Sequence, residues 1–404
     1  MQCRVVVVLA LVAACSARDE AAPSHETLPA PPRRAPEPTV ATPPNAPAPP
    51  PAPSPAPASK TAARADRIEL TFMGDIMFGG YFDDHYDPQE VELHDPLADI
   101  DALIASDLPF ANFETTITRK LPNGGKDHDG KGHKRFVTIP ERVAILPRHH
   151  ITTVTLANNH QFDNDLKGLT ETPEILRELG IQFIGAARTE APRFRVETLE
   201  VKGWKIGFIP ATTELNHRPR PTAPMIAFTE SPTLAKELVP LIQAARADHD
   251  LVIVQVHWGI QYSDVPEKWQ VAAAHAFIDA GADAVIGHHP HVLQAIERYR
   301  GGLVAYSLGN FVFPNGKEPV RQTGILRLGF TAKPDAPRAC LDTAAFHPAM
   351  QDRQPITHPV PASGKLMKII EQRLFALSAA RPFATTWRVD GDRFTTEPAC
   401  ARPK

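Results

Sequence analysis

From about Arg67 onward, short apolar runs alternate with longer amphipathic stretches. The runs read "IELTFMGD" (68–75), "LPFANFE" (108–114), "ITTVTLANNH" (151–160) and "KIGFIPATT" (205–213). They continue with "LVIVQVHWG" (251–259), "DAVIGHHPH" (283–291) and "LVAYSLGNF" (303–311). Near-continuous Val, Ile and Leu suit strands buried on both faces of a sheet. Between them, "LTETPEILRELG" (169–180) and "PEKWQVAAAHAFIDAG" (266–281) repeat apolar residues at helical spacing. Each closes on a glycine, which takes the left-handed conformation of a helix C-terminus without strain. This alternation of strand and helix predicts an α/β fold with substantial parallel pairing.

The first 66 residues break the rhythm. "MQCRVVVVLALVAACSARDE" carries Arg4 and then an apolar stretch from Val5 to Ala14. That is shorter than the roughly 20 residues of a bilayer span and suits a signal peptide. Val12-Ala13-Ala14-Cys15 resembles a bacterial lipobox, in which cleavage precedes a cysteine that is then lipidated. Residues 1–14 are therefore expected to be a lipoprotein signal, with Cys15 as the anchored residue. Ala21 to Ser59 is mostly Pro and Ala, which cannot bury a core and stays extended. At about 3.1 Å per residue it reaches on the order of 100 Å, so 15–66 reads as a tether. The expected location is the bacterial cell envelope, lipid-anchored and facing the periplasm or exterior.

Composition adds exclusions. A formal net charge of −3 and 7% aromatics do not give the basic, stacking face of a nucleic-acid binder. With 404 residues the chain holds one large domain or two ordinary ones. The expected division is a domain over 67–330 and a C-terminal extension, 331–404, packed on it. Cys340 and Cys400 are the cysteines of the folded part, and an oxidising compartment favours their pairing over two free thiols. Closing that loop of roughly 60 residues would stabilise by about 4 kcal/mol on the chain-entropy account.

The chemistry gathers at the strand ends. Asp75, Glu114, Asn159, His160, His257, His289 and His291 all stand at or just past the carboxyl end of an apolar run. Ligands of open α/β sheets bind outside those ends. Five runs thus deliver nitrogen and oxygen donors to one edge, and a metal centre is the natural recipient. Singly the residues are ambiguous: Asp75 serves equally as a helix cap, whereas Glu114, beside Asn112, is able to bridge two cations. In "LANNHQFD" (156–163), Asn158 and Asn159 either shape a turn or bring Asn159 to metal with His160 facing substrate. Asp163 would orient that imidazole and raise its basicity. Trp258 follows His257 as a candidate pocket wall. His289 and His291, two apart in extended backbone, project to the same side, leaving His288 pointing away and outside the metal set. Ser307 and Asn310 line a pocket or form a turn. "NGGKDHDGKGHK" (123–134), with His128 and His133, is a solvated loop or a substrate flap.

Taken in order, "FMGDIMFGG", "ANFETTIT", "LANNHQFD", "VHWGIQY", "AGADAVIGHHPHVLQAIERY" and "LVAYSLGNFVF" resemble the bacterial CapA family of capsule and poly-γ-glutamate biosynthesis proteins. The similarity runs from about 68 to 330. It implies a calcineurin-like metallophosphoesterase fold, an α/β/β/α sandwich with two divalent ions (Mn, Fe or Zn) at one edge. On that implication Glu114 bridges the ions, Asp75 and His291 hold one, and Asn159, His257 and His289 hold the other. His160 acts as general acid with Asp163 behind it, and Asn112, Asn158, Trp258 and Asn310 face the substrate. The reaction would be hydrolysis of a phosphoester or polymer linkage. The partners would be an anionic polymer or phosphoester, capsule biosynthesis proteins and the membrane through the anchor, with no nucleic acid. The alternative class is a non-enzymatic, metal-stabilised polymer-binding or assembly component of capsule export. Departures from the family pattern are Gln261, where many relatives have Glu, and Asn164-Asp165, where they have Gly. The wider phosphoesterase pattern Asp-x-His is broken by Met77.

Overall fold

The computed structural model describes residues 64–79, 95–121, 135–187, 193–216, 225–314, 317–333, 338–353, 357–380 and 384–398. The expected signal segment, Cys15, the tether, the loop bearing His128 and His133, and Cys400 lie outside these residues.

The chain first lays down four parallel strands, β1 (Arg67–Ile76), β2 (Leu108–Phe113), β3 (Thr153–Thr155) and β4 (Gln182–Ile184), side by side in that order. Helix α1 (Asp165–Glu178) crosses between the last two. It then builds a second sheet from β5 (Glu197–Val201), β6 (Trp204–Thr212), β7 (Leu251–His257), β8 (Ala284–His288), β9 (Ile296–Tyr299) and β10 (Gly302–Ala305). Strands β6, β7, β8 and β10 run parallel, connected by α2 (Leu234–Asp248) and α3 (Lys268–Ala280). The chain returns to the first sheet through β11 (Asn310–Val312), parallel to β1, and β12 (Gln322–Thr331), antiparallel to it. Strand β13 (Cys340–Asp352) extends the sheet from Gln322↔Met350 to Thr331↔Cys340, with a register shift at Gly329/Phe330, so the pairing runs across residue 330. Cys340 is disulfide-bonded.

The continuous apolar runs now have a physical reason, because each sheet buries both faces. Ile68, Leu70, Phe72 and Phe110 of the first sheet share one buried cluster with Phe208, Ile253, Ile286 and Leu303 of the second. Phe110 stacks on Phe208 with centroids 5.0 Å apart, which puts the sheets face to face. Alternate residues point outward: Ala111 and Val154 pack with Ile175 and Leu176 of α1. On the other side Val252, Val254 and Val285 pack with Leu238 and Ile242 of α2 and Phe277 of α3. The architecture is an α/β/β/α sandwich. Helix α3 opens with a reciprocal Glu267–Gln270 capping box and ends at Gly281 with φ 124°. Helix α1 begins at Asp165, four residues before its apolar periodicity, and Gly180 with φ 72° follows its end. Past β13, helix α4 (Gly364–Ala379) buries Ile370 and Leu374 in the inter-sheet core beside Trp387 and Phe394.

Candidate metal centre

Parallel neighbours share a carboxyl edge, so their final residues meet. Asp75 is in register with Asn112 on one side and Asn310 on the other, and His257 pairs with His288. Two glycines permit the approach. A Cβ on Gly74 would lie 2.0 Å from the Gly309 carbonyl oxygen, to which the Asp75 N–H donates at 3.0 Å. A Cβ on Gly287 would lie 2.0 Å from the Tyr306 oxygen and 2.7 Å from Trp258 Nε1.

Glu114 is the focus of the site. It is fully buried, yet its Oε1 accepts no hydrogen bond. Around that atom stand Nε2 of His257 at 3.7 Å and Nε2 of His160 and His291, each at 3.8 Å. These separations exceed a hydrogen bond. Oδ2 of Asp75 is likewise buried and without a hydrogen bond. Buried carboxylate oxygens left unpaired are costly, and a cation among the imidazoles removes that cost. His257 Nε2 also lies 2.9 Å from Asn159 Oδ1 and 3.0 Å from His289 Nδ1. Donor atoms held about 2.1 Å from one tetrahedral ion sit roughly 3.4 Å apart, so such crowding suits a shared ligand shell. Two overlapping triads, Glu114–His289–His291 and Asp75–Glu114–His257, have donor atoms within 4.8 Å of one another. Glu114 is common to both, as a bridge requires. Within the expected division, His291 Nδ1 lies 3.3 Å from Asp75 Oδ2, and His257 lies beside Asn159 and His289.

Protonation follows the same logic. Burial alone would raise the Asp75 carboxyl, but His288, hydrogen-bonded at 3.1 Å, and His291, with Nδ1 3.3 Å away, outweigh it and hold the group well below the usual carboxylate range. Burial, then the charges of Asp75 and Asp163, push Glu114 well above its ordinary value. A nearby cation reverses that by favouring the charged form. Burial, reinforced by His289, lowers His257 well below 6.5. Burial, reinforced by His291, brings His289 down to about 3. Both imidazoles are thus neutral, the form that ligates metal.

Around these donors lies a set of buried partners. His160 Nδ1 donates to Asp163 Oδ2 at 2.6 Å, leaving Nε2 facing Glu114. The Phe136 N–H donates to the same carboxylate oxygen, and the Phe136 ring stacks on His160 at 4.0 Å. His291 Nδ1 donates to Asn310 Oδ1 at 2.8 Å, which turns its Nε2 toward the site. Asn310 therefore stands behind a histidine rather than in a pocket wall. Asn112 and Asn158 are also beneath the site, fully buried. Asn112 donates to Asp75 Oδ1 at 2.9 Å, and Asn158 donates to Asn112 Oδ1 at 3.1 Å. Trp258 points the other way, into the helix-covered core, donating to the Tyr306 carbonyl at 3.1 Å.

Residues 69–315 match the family described as bacterial capsule synthesis protein PGA_cap. This chain belongs to that family. It is similar to the capsule biosynthesis protein CapA of Bacillus anthracis, 29% identical over 65% of this chain and 64% of that one. It is also similar to the PGA biosynthesis protein CapA of Bacillus subtilis, 30% identical over 65% and 67%. The chain thus spans about two thirds of the length of these relatives. A probable polyglutamine synthesis accessory protein of Mycobacterium tuberculosis is 30% identical over 52% of this chain and 56% of its own. Among solved structures, a hypothetical protein from Thermus thermophilus gives a TM-score of 0.37 at 19% identity, covering 72% of this chain and 96% of that one. A 5'-nucleotidase from Candida albicans gives 0.33 at 11% identity, covering 64% and 47%.

In this PGA_cap protein two inferences about the histidines at 288–291 also need correction. The strand ends at His288, and His289 (φ 95°) and His291 (φ 57°) adopt left-handed backbone. Both reach the site through a turn, not through the extended backbone inferred from their spacing. His288 does not point away either: its Nδ1 lies 3.1 Å from Asp75 Oδ1 and its Nε2 3.2 Å from Gln255 Oε1. It stays outside both triads and steadies Asp75 from below. Asn216 was missed; its Nδ2 lies 3.3 Å from His160 Nδ1, and its Oδ1 accepts from Asn159 at 3.1 Å. The signal was its place just past another apolar run, "KIGFIPATT". Met77, at the Asp-x-His position, is buried with Phe136 and Phe313 in an apolar wall that also touches His291, at 4.7 Å between the Phe313 and His291 rings.

Proposed function

We propose that this protein is a two-metal hydrolase of capsule or polyglutamate-type polymer metabolism, anchored at the bacterial envelope through Cys15 and its proline-rich tether. The observation that carries the reading is Glu114 Oε1, buried and without a hydrogen bond, amid three imidazole nitrogens at 3.7–3.8 Å. Glu114 would bridge two divalent ions, with Asp75, Asn159, His257, His289 and His291 completing their shells. When bound, such ions supply Lewis acidity and screen charge that develops at the scissile bond. The chain's own contribution is orientation and proton delivery. His160, fixed by Asp163, presents Nε2 to the site and gives a proton to the leaving oxygen or nitrogen. The Phe136–Phe313 wall excludes water from that imidazole's flank.

The relatives' names point to capsule polymer or polyglutamate, and fold alone does not fix the bond. The substrate class is therefore an anionic polymer or a phosphoester. The test is a panel of phosphodiesters, phosphomonoesters and polyglutamate offered to the purified chain with Mn²⁺, Zn²⁺ or Fe²⁺. Turnover that disappears on chelation and returns on metal addition supports the reading. Bound metal without turnover of any of them contradicts it and favours an assembly role.

A further inference from the structure

The turn carrying His289 and His291 is unusual in having two non-glycine residues in left-handed backbone on either side of Pro290. Such conformations persist only where surrounding structure fixes them. On one side, Asn310 accepts from His291. The other side is laced to residues 259–266 and to helix α4. The Pro290 carbonyl accepts from the Tyr262 N–H at 2.8 Å, and Gln294 Nε2 donates to the Ser263 carbonyl at 2.8 Å. Arg373 joins both strips. Its Nε and Nη2 donate to the Leu293 carbonyl at 3.2 and 3.1 Å, and Nη2 also reaches Asp264 Oδ1 at 2.5 Å.

Arg373 is well placed to act as a fixed strut. Its side chain is only 14% exposed, and its helix is rooted in the inter-sheet core by Ile370 and Leu374. It lies beyond residue 315, where the family match ends. A planar guanidinium can serve a carbonyl and a carboxylate together, which an ammonium does less well. We propose that Arg373 is a positioning residue of the metal centre: through Leu293 and Asp264 it holds the His289–His291 turn in its metal-binding shape. The C-terminal extension thereby becomes part of the site. This rests on the two-ion reading above.

The test uses Mn²⁺ alone, titrated into the purified full chain with free ion counted by electron paramagnetic resonance. Arg373→Ala should weaken Mn²⁺ binding by about 10-fold or more, the usual effect of losing an outer partner of a ligand. Arg373→Lys should recover part of the loss. Asp264→Ala should lose less, and adding it to Arg373→Ala should cost little further, because the two share one contact. Thermal unfolding in chelator separates a structural effect: a lowered metal-free midpoint with unchanged Mn²⁺ affinity would overturn the proposal. Should Arg373→Ala fail to fold, Arg373→Lys and Asp264→Ala carry the same comparison. Wild-type protein that binds no Mn²⁺ would overturn the two-ion reading along with it. Wild-type binding matched by Arg373→Ala would overturn the strut alone.

Discussion

At the scale of single residues, the centre is a balance between carboxylates that need a positive neighbour and imidazoles kept neutral. Burial and repulsion raise Glu114 and lower His257 and His289, so neither kind of group is content without a cation. His160 differs, because its partner is Asp163 and its Nε2 stands at the edge of the donor set. His160→Ala should therefore keep the metal content while reducing turnover by about 10²–10⁴-fold, as loss of a general acid does. Steady-state rates beside elemental analysis check this, and loss of metal would move His160 into the ligand set. The candidate donors stood out in the sequence because carboxylates, amides and imidazoles recur at the ends of five apolar runs. The role of His288 did not, since it depends on Asp75 lying above it in the other sheet, 213 positions away in the chain.

Elements set how closely those residues approach. Gly287 is the penultimate residue of β8, a strand buried along its whole length, and a methyl there would collide with the Tyr306 carbonyl and the Trp258 indole. Gly287→Ala should cost about 1–3 kcal/mol, the usual range for overpacking. Denaturant unfolding of metal-free protein measures it, and a midpoint equal to wild type would contradict the packing. The seven apolar runs and helices α1 and α3 were legible from period and length, whereas the longer α2 and α4 were not picked out. The left-handed turn at 289–291 was not legible either, because hydrophobic periodicity carries no information on φ and histidine is a poor marker for positive φ. The inner and outer faces of each strand were equally hidden: a run apolar at every position says that both faces are covered, not by what.

The molecule as a whole should respond to acid through a group outside the donor set as well. His347 on β13 is buried with neither ring nitrogen hydrogen-bonded. Burial and then the Arg327 charge lower it from 6.5, while Glu69 and Asp392 pull weakly upward against Arg393. Its folded pKa is below its unfolded one, so between the two the unfolded chain binds more protons. Its share of stability is present above about pH 6.5 and is lost as pH falls below that value. Metal-free protein should melt lower near pH 5.5 than near pH 7.5, and His347→Leu should narrow that gap. An unchanged gap would place the acid sensitivity elsewhere. At the other end of the chain, Cys15→Ser should move the protein from the membrane fraction to the soluble one. Unchanged membrane association would remove the anchor from the account.

The central claim is that Glu114 bridges two divalent ions, and metal stoichiometry tests it most directly. Elemental analysis of purified protein loaded with Mn²⁺ and then dialysed should find about two ions per chain at saturation, one held more loosely than the other. Asp75→Ala should retain about one ion, and Glu114→Ala should retain almost none, since both triads depend on that carboxylate. A wild-type chain that retains no metal under any loading, or a Glu114→Ala chain that retains as much as wild type, would contradict it.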